Sequence, residues 1–284
     1  MNPVSVNELT ESVNSNLPRD VKSHIAKNIL TKEKDSETAK NIFAKLVNDL
    51  SLKTQKEVIN ATGTLLHTNL GRSPNKISYP GTYTNIEYDL TTLSRGKRNE
   101  YLSVLMNNLI GSEDIIFVNN NASSLFVSLK AISKLHNIES VVISRGEIIE
   151  IGGSYRLPEI INETGLSLVE IGTTNKTRLS DYKKALEKYP NSLILKVHRS
   201  NFSISGFTED VSISELAELK NKYDVFLLHD LGSGLVIDKK FLEINNVNIF
   251  RDEPFVQDSL SDGSDLVMFS GDKLFGSVQS GMIA

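Results

Sequence analysis

The sequence predicts an α/β fold whose core is a mostly parallel, doubly wound sheet. From about residue 111 onward, short runs of β-branched and other apolar residues alternate with amphipathic segments. Continuous apolar strands separated by helices of about 10 to 15 residues are typical of βαβ units around a buried parallel sheet. The chain has 284 residues, of which 39% are hydrophobic. That length suits one large domain of this kind with an appendage.

The individual elements follow from their spacing. The predicted strands are DIIFV (114–118), SVVIS (140–144), LSLVEI (166–171), SLILKVH (192–198), DVFLLHD (224–230) and DLVMFS (265–270). Segments with apolar residues at helical spacing lie between them: 122–137, 156–165, 179–189 and 213–223. Gly165 ends the second helical segment, because glycine readily adopts the left-handed conformation that closes a helix. One more strand is predicted after residue 273, and the chain ends within it at Ala284.

Residues 1–55 are predicted to form a separate helical segment before the large domain, which spans residues 56–284. Helical periodicity is visible in RDVKSHIAKNILTK (19–32) and SETAKNIFAKLVNDLSL (36–52), and there is no strand signal. The lysines of this segment are interleaved with acidic residues and lack a set of aromatic residues for base stacking. A solvated helical face explains them more simply than a nucleic-acid-binding surface.

The composition excludes several classes of protein. The sequence has no cysteine, which rules out disulfides and thiolate metal or redox chemistry, and no metal site is predicted. It has no run of 18 apolar residues that would span a membrane, and its N-terminus lacks the basic and apolar regions of a secretory signal. The net charge of -4 gives no overall basic footprint for nucleic acid. We therefore expect a cytoplasmic protein without a membrane partner.

The candidate site residues directly follow predicted strands. In open α/β sheets, ligands bind outside the carboxyl ends of the strands. Strand 114–118 is followed by Asn120, Asn121, Ala122 and Ser123 at the start of a predicted helix. These residues can cap the helix, or the free N–H groups at the helix start can bind an anion such as phosphate. Asp230 ends another strand, where a lone aspartate is more often a turn or cap residue. Ser270 and Lys273 follow strand 265–270, and a lysine there is by itself most often exposed.

Taken together, these side chains fit one cofactor, pyridoxal 5′-phosphate. It needs a lysine for covalent attachment, a carboxylate facing the pyridine nitrogen, and an anion cup for its phosphate. Lys273, Asp230 and the asparagine-rich segment supply these three groups, and Ser270 can add a hydroxyl donor to the phosphate. A partly desolvated lysine close to positive charge has a lowered pKa and can act as nucleophile and base. A surface lysine and a phosphate-binding lysine remain the alternatives for Lys273.

Several longer blocks of the sequence, in order, carry a family resemblance. They are VINATGTLLHTNLGRSP (58–74), NIEYDL (85–90), VNNNAS (118–123), SRGEIIEIGGSYRLPEI (144–160), EIGTTNKT (170–177), LKVHRSNFSISGFT (195–208), DLGSG (230–234) and SGDKLFG (270–276). With these blocks the chain resembles the bacterial selenocysteine synthases, the L-seryl-tRNA(Sec) selenium transferases. The resemblance runs from about residue 56 to the last residue.

That resemblance implies a fold-type-I pyridoxal phosphate enzyme that converts seryl-tRNA(Sec) to selenocysteinyl-tRNA(Sec), with selenophosphate as the selenium donor. Lys273 matches the lysine that binds the cofactor in the family's S-G-D-K motif. The implied reaction removes the serine Cα proton, with Lys273 as its acceptor, and eliminates the hydroxyl as water before selenium is added. A homo-oligomer with its active site at a dimer interface is also implied.

Four further residues are candidates for substrate binding. Arg72 matches a family arginine that resembles an anion-site residue, and guanidinium groups suit phosphate-like donors. Arg95 and Arg98 are further basic candidates, for which a solvated loop is the alternative. His67 is a candidate proton donor for the elimination, and a hydrogen-bonded structural histidine is equally compatible with its position.

The chain also departs from the family pattern. It reads Leu93-Ser94-Arg95-Gly96 where the family has G-E-R-G, and Gly276-Ser277-Val278-Gln279 where the family has G-G-P-Q. The family's smaller C-terminal domain is expected to be absent from this chain. Two other functions therefore stay open: a related pyridoxal phosphate lyase acting on a small amino acid or amino sugar phosphate, and an inactive, truncated homologue.

Overall fold

The structure is a computed structural model, which describes residues 3–75, 78, 81–153, 155–247 and 252–284. The chain divides into two compact units, Met1–Ala61 and Thr62–Ala284. Among the described residues, no helix has both the length and the apolar character that a membrane crossing requires.

The first unit consists of three helices around a small apolar core. They are α1 (Val6–Ser12), α2 (Arg19–Lys32) and α3 (Ser36–Lys53). The last two agree with the predicted helical patterns, whereas α1 was not predicted. Ser5 and Glu8 form a capping box at the start of α1, and Asp35 caps α3. The core buries one face of each helix: Leu9, Ala26, Ile29, Ala39, Phe43 and Val47.

A seven-stranded sheet forms the centre of the second unit. Its strands in spatial order are β3 (Ile116–Val118), β11 (Gly281–Ile283), β10 (Leu266–Ser270), β9 (Leu227–Gly232), β8 (Ser192–Val197), β4 (Ser140–Ser144) and β7 (Ser167–Ile171). Neighbouring strands from β10 to β7 are parallel, whereas β11 is antiparallel to both β3 and β10. The predicted mostly parallel sheet is confirmed.

Helices cover both faces of this sheet, as the alternation of strand side chains shows. Val141 and Ile143 pack in one apolar cluster with α5 (Asn121–His136) and α6 (Leu157–Glu163). Val142, between them, packs in another with α7 (Leu179–Lys188) and α8 (Ile213–Tyr223). Adjacent strand residues point to opposite faces, so each cluster belongs to one face. This arrangement is the doubly wound α/β fold that the sequence predicts.

The remaining elements were not predicted. Helices α4 (Glu100–Ile110) and α10 (Val256–Ser261) pack in one apolar cluster with β10 and β11. Helix α9 (Lys239–Ile244) lies in the connection between β9 and α10. Short antiparallel pairs join β1 (Tyr88–Asp89) to β2 (Ser94–Arg95) and β5 (Glu150–Ile151) to β6 (Tyr155–Arg156). Single 3-10 turns occur at Thr68–Leu70 and Arg145–Glu147.

Strand β11 fixes the distance between the start of α5 and the loop that carries Lys273. Gly281 is paired with Val118 on one side and with Ser270 on the other. A Cβ atom at Gly281 would lie 2.1 Å from the carbonyl oxygen of Asn120 and 2.3 Å from Ser124 Oγ. Only glycine therefore lets β11 approach the start of α5 this closely.

A β-bulge shapes the carboxyl end of β9. Met268 of β10 is paired with Asp230, and the next residue, Phe269, is paired with Gly232, so Leu231 has no partner in β10. Gly232 has a φ of +64°, a left-handed conformation that favours glycine. Bulges re-aim side chains next to functional sites, and this one lies directly beside Asp230.

We expect Gly281→Ala to destabilise the second unit by about 1 to 3 kcal/mol, because the added methyl group overpacks the contact with Asn120 and Ser124. Urea unfolding followed by circular dichroism measures the change. Gly152→Ala is the matched control, since a Cβ there would meet its nearest neighbour at 3.8 Å. Equal stability of the two variants would contradict the proposed close packing.

Candidate active site

A cavity of about 740 Å³ lies at the carboxyl ends of the central strands. Its walls come from segments that follow β3, β8, β9 and β10, as expected for a doubly wound sheet. The lining includes Arg72 and every residue predicted to bind the cofactor: Asn120, Asn121, Ala122, Ser123, Asp230, Ser270 and Lys273. The fold therefore brings together residues that are about two hundred positions apart in the chain, such as Arg72 and Asp272.

Asp230 is a buried carboxylate on the wall of this cavity. Its Oδ1 accepts hydrogen bonds from Asn121 Nδ2 at 2.7 Å and from the Gly232 N–H at 3.1 Å. Burial raises the pKa of Asp230, against the opposing effect of the Asn121 hydrogen bond. Among the described residues, no cation forms an ion pair with it. A buried carboxylate in this state suits a ligand that brings its own positive charge, such as a protonated pyridine nitrogen.

The start of α5 forms a second wall. Asn120 is its N-cap, and its side-chain oxygen accepts the N–H of Ser123 at 2.9 Å. The capping role considered from the sequence is therefore present. The N–H groups of Asn121 and Ala122 lie in the first turn, where helical N–H groups have no intrahelical acceptor. These groups and the positive end of the helix dipole suit an anion.

Lys273 lies between these two walls. Burial lowers the pKa of its ammonium group, and the nearby Arg72 guanidinium lowers it further, whereas Asp230, Asp272 and Glu253 oppose this shift. The Lys273 loop is tied to the end of β9, since the Leu274 N–H donates to the Ser233 carbonyl at 3.0 Å. A lysine with a lowered pKa holds more neutral amine near neutral pH, which is the nucleophilic form.

Arg72 contacts the residue that directly precedes this lysine. Its Nη1 lies 2.8 Å from Asp272 Oδ2, and the Ser73 N–H donates to the Asp272 carbonyl at 3.1 Å. Arg72 itself has a φ of +58°. Sequence reasoning missed the role of Asp272, although its position directly before Lys273 in the S-G-D-K motif was a signal. The segment from His67 to Ser73 is thereby held against the Lys273 loop.

The other three predicted substrate-binding residues lie elsewhere in the second unit. His67 Nδ1 accepts the Asn69 N–H at 3.2 Å and caps the turn Thr68–Leu70, and His67 is not part of the cavity lining. Arg95 and Arg98 both pair with Glu87 at 2.8 Å on the exposed β1–β2 hairpin. The two guanidinium groups lower the pKa of Glu87. Substrate binding by these three residues stays a prediction.

Several cavity residues were not predicted. His198 and Ser200 follow β8 and line the cavity. His198 Nε2 lies 3.1 Å from Glu253 Oε2, and Ser233 Oγ donates to the same oxygen at 3.0 Å. The position of His198 directly after an apolar strand was a signal of the same kind as that of Asp230.

A buried ion pair holds the end of β8 below His198. Lys196 Nζ donates to Glu147, which is fully buried, and to Asp210 Oδ1 at 2.7 Å. The second oxygen of Glu147 accepts the Val197 N–H at 3.1 Å. Removing one partner of such a pair leaves an uncompensated buried charge, so the network fixes the backbone from which His198 projects.

The fold is the doubly wound large domain that fold-type-I pyridoxal phosphate enzymes share. A solved structure of D-glucosaminate-6-phosphate ammonia-lyase superposes with a TM-score of 0.51 at 18% sequence identity, over 65% of this chain and 47% of that chain. At this identity the likeness concerns the fold alone.

Sequence comparison identifies the family. The family model described as "SelA: L-seryl-tRNA selenium transferase" matches residues 58–284, and the chain belongs to this family. The L-seryl-tRNA(Sec) selenium transferase of Campylobacter fetus is 40% identical over 275 residues, 93% of this chain and 60% of the relative. Those of Aliarcobacter butzleri and Moorella thermoacetica are 43% and 45% identical and are covered over 54% and 48% of their length. The chain thus spans about half to three fifths of these relatives.

The family and the fold imply pyridoxal phosphate as the cofactor. The described residues fit it on three independent grounds. Asp230 is buried and forms no ion pair with a described residue, the first turn of α5 presents free N–H groups, and Lys273 has a lowered pKa inside the same cavity. One further buried acceptor, Asn121 Oδ1, has no protein partner beside this site.

In the cofactor-free chain we expect Arg72→Gln to slow the acetylation of Lys273 at pH 8 by at least about threefold, because loss of the positive charge raises the lysine pKa and reduces its neutral fraction. Reaction with a limiting amount of acetic anhydride, followed by peptide mass spectrometry, gives the acetylation rate of each lysine separately. Arg95→Gln is the matched control, since Arg95 lies on the exposed hairpin. An unchanged Lys273 rate in Arg72→Gln would show that Arg72 does not set its charge state.

Proposed function

We propose that this chain carries the cofactor site of an enzyme that converts seryl-tRNA(Sec) to selenocysteinyl-tRNA(Sec), with selenophosphate as the selenium donor. The observation that carries the proposal is the meeting of Lys273, Asp230 and the start of α5 in one cavity of a chain 37 to 45% identical to named selenium transferases. The same activity makes the protein part of selenocysteine biosynthesis.

The cofactor-facing roles follow from the environment of each side chain. Asp230 holds the protonated ring nitrogen, and Asn121 orients the carboxylate through its 2.7 Å hydrogen bond. The N–H groups at the start of α5 and the Ser270 hydroxyl bind the phosphate. When bound, pyridoxal phosphate supplies an electron sink that stabilises negative charge at the substrate Cα.

Lys273 has two roles in this proposal. Its amine would hold the cofactor, and its free Nζ would accept the proton from the serine Cα. A lowered pKa suits both roles, because each requires the neutral amine. Lys273 Nζ lies beside Gly232, since a Cβ at that glycine would lie 3.7 Å from it.

Arg72 is the proposed contact for the selenium donor. One nitrogen of its guanidinium is occupied by Asp272, so its remaining donors are available to a phosphate-like anion. The side chain lines both the main cavity and an adjoining polar cavity of about 450 Å³, which Asp272 and Gln279 also line. In this proposal the donor anion binds beside the lysine loop.

The macromolecular partners are proposals of the same kind. We propose seryl-tRNA(Sec) as the substrate, a homo-oligomer with the active site at a dimer interface, and a cytoplasmic location. The outer face of α4 exposes five apolar side chains that a second copy can cover: Tyr101, Leu102, Val104, Leu105 and Leu109. Sedimentation of the purified chain tests the assembly, and a monomer at micromolar concentration argues against it.

The lyase alternative has weaker support. Its reaction also removes a proton beside a cofactor-bound amine, so the same Lys273 and Asp230 would serve it. Its support, however, is a structural likeness at 18% identity, against identities of 37 to 45% for the selenium transferases. We therefore place the tRNA-dependent reaction first.

We expect the chain to bind pyridoxal phosphate and to give a visible absorbance band that survives desalting. Lys273→Ala abolishes the band because the covalent link is lost, and Asp230→Asn weakens cofactor retention by at least about tenfold through loss of the charged contact. Lys183→Ala, on the exposed side of α7, is the matched control and keeps the band. Absence of the band in the folded wild-type chain would contradict the assignment of pyridoxal phosphate as the cofactor.

Turnover is tested separately from cofactor binding. We expect the cofactor-loaded chain to release water from seryl-tRNA(Sec) and to form selenocysteinyl-tRNA(Sec) with selenophosphate, while Lys273→Ala lowers the rate by at least about 10³-fold. Selenium incorporation into tRNA, followed with radiolabelled selenium, measures this reaction. Free L-serine and D-glucosaminate 6-phosphate serve as competing substrates, and faster turnover of either one would favour the lyase reaction.

A further inference from the structure

His198 and Glu253 form a hydrogen-bonded pair on the wall of the cavity that holds Lys273. The pair joins two elements, because His198 follows β8 and Glu253 precedes α10. His198 Nε2 lies 3.1 Å from Glu253 Oε2, and Ser233 Oγ donates to the same oxygen at 3.0 Å. The backbone N–H of His198 also donates to the Asp230 carbonyl at 2.9 Å. The imidazole is therefore fixed both through its backbone and through its Nε2.

The partner of Nε2 determines where the imidazole carries its proton. Burial would raise the pKa of Glu253, but the hydrogen bonds from His198 and Ser233 and the positive charge of Lys273 lower it. Glu253 is thus ionised near neutral pH and can only accept hydrogen bonds. Nε2 must therefore be the donor, and in the neutral form of the imidazole the lone pair is then on Nδ1.

Nδ1 has no hydrogen-bond partner among the residues that the structure describes, and His198 lines the cavity. The charged and titratable groups around it are Glu253, Asp230, Lys273 and His229. Of these, only Glu253 is hydrogen-bonded to the imidazole. An acceptor held in this way beside Lys273 suits a ligand that carries a hydroxyl or ammonium donor.

We propose that Glu253 is a positioning residue, which holds His198 with the proton on Nε2 so that Nδ1 accepts a hydrogen bond from a hydroxyl or ammonium group bound in the cavity. The inference rests on the proposed function for the identity of that group. Two sources share the chemistry: the ring hydroxyl of pyridoxal phosphate and the amine or hydroxyl of the serine substrate.

His229 offers a contrast within the same protein. It is buried in β9, and its Nδ1 lies 3.0 Å from Ser259 Oγ, which itself donates to the Phe255 carbonyl at 3.1 Å. His229 is therefore the donor through Nδ1, and burial lowers its pKa to about 3. It does not line the cavity. Two histidines in the second unit are thus held in opposite tautomers, and of these two only His198 lines the cavity.

The tautomer of His198 is measurable by NMR on the full chain labelled with ¹⁵N-histidine. His198→Gln assigns the resonances by their disappearance, and the Nδ1-protonated signals of His229 confirm that each variant is folded. In the free wild-type chain we expect His198 to be protonated at Nε2. Glu253→Met removes the acceptor and is expected to speed exchange of that proton with solvent by at least about tenfold. Glu170→Met, which removes an exposed carboxylate, is the matched control.

Ligand addition then distinguishes the two sources. An upfield shift of His198 Nδ1 on addition of pyridoxal phosphate alone supports the inference with the cofactor as donor. A shift that requires L-serine in addition supports it with the substrate as donor. In Glu253→Met we expect the shift to be lost or reduced, because the ring is no longer held.

The inference is overturned if free His198 is protonated at Nδ1, or if neither ligand moves its Nδ1 resonance while the visible band shows bound cofactor. If the band itself never forms, the proposed function fails independently. In that case the tautomer and the proton exchange in Glu253→Met still decide whether Glu253 holds His198.

Discussion

The whole site depends on the close approach of two backbones at Gly281. This residue is paired with the last residue of β3 and with the last residue of β10, so it joins the strands that lead to the α5 anion cup and to the lysine loop. No side chain fits between β11 and the Asn120 carbonyl. The separation of cup and lysine is therefore set by backbone packing, and the side chains that bind ligands rest on that fixed spacing.

Electrostatics acts within this frame. Asp230 is buried and forms no ion pair with a described residue, while Lys273 lies close to the positive charge of Arg72. The positive end of α5 adds a further favourable position for an anion. The cavity is thus arranged for a ligand that is cationic at one end and anionic at the other. Without a ligand, the buried carboxylate of Asp230 and the ammonium group of Lys273 are each in an unfavourable electrostatic environment. A ligand with these charges stabilises both groups, and such an arrangement is typical of a functional site.

Local sequence patterns predicted much of the fold. The apolar runs at 140–144, 192–198 and 265–270 became strands because β-branched and aliphatic side chains pack well on both faces of a buried sheet. The rule that ligands bind at strand ends predicted Asp230 and Lys273 as partners, and both line one cavity. Helix α4 was missed because EYLSVLMNNLI carries apolar residues on both its buried and its exposed faces, so it lacks a clear one-sided pattern.

The remaining site contacts depend on pairs that no local pattern contains. Arg72 and Asp272 are 200 positions apart, and His198 and Glu253 are 55 positions apart. Their meeting follows from the strand order, which a single sequence leaves open. Conversely, Arg95 and Arg98 carried a basic signal, yet both pair with Glu87, which precedes them closely in the chain. A basic residue in sequence says nothing about which nearby carboxylate already pairs with it.

The position of β11 also has a consequence for the order of folding. In the described sheet, β3 is paired with β11 alone, so the strand that leads to the anion cup has no partner until residues 281–283 have been synthesised. The parallel strands β4, β7, β8 and β9 can pair before that point. Until then this edge of the sheet is open, and an unpaired edge favours association with other chains. Closure of the binding cavity therefore follows the synthesis of residues 281–283, and a ligand that binds the closed cavity stabilises the pairing of β3 with β11.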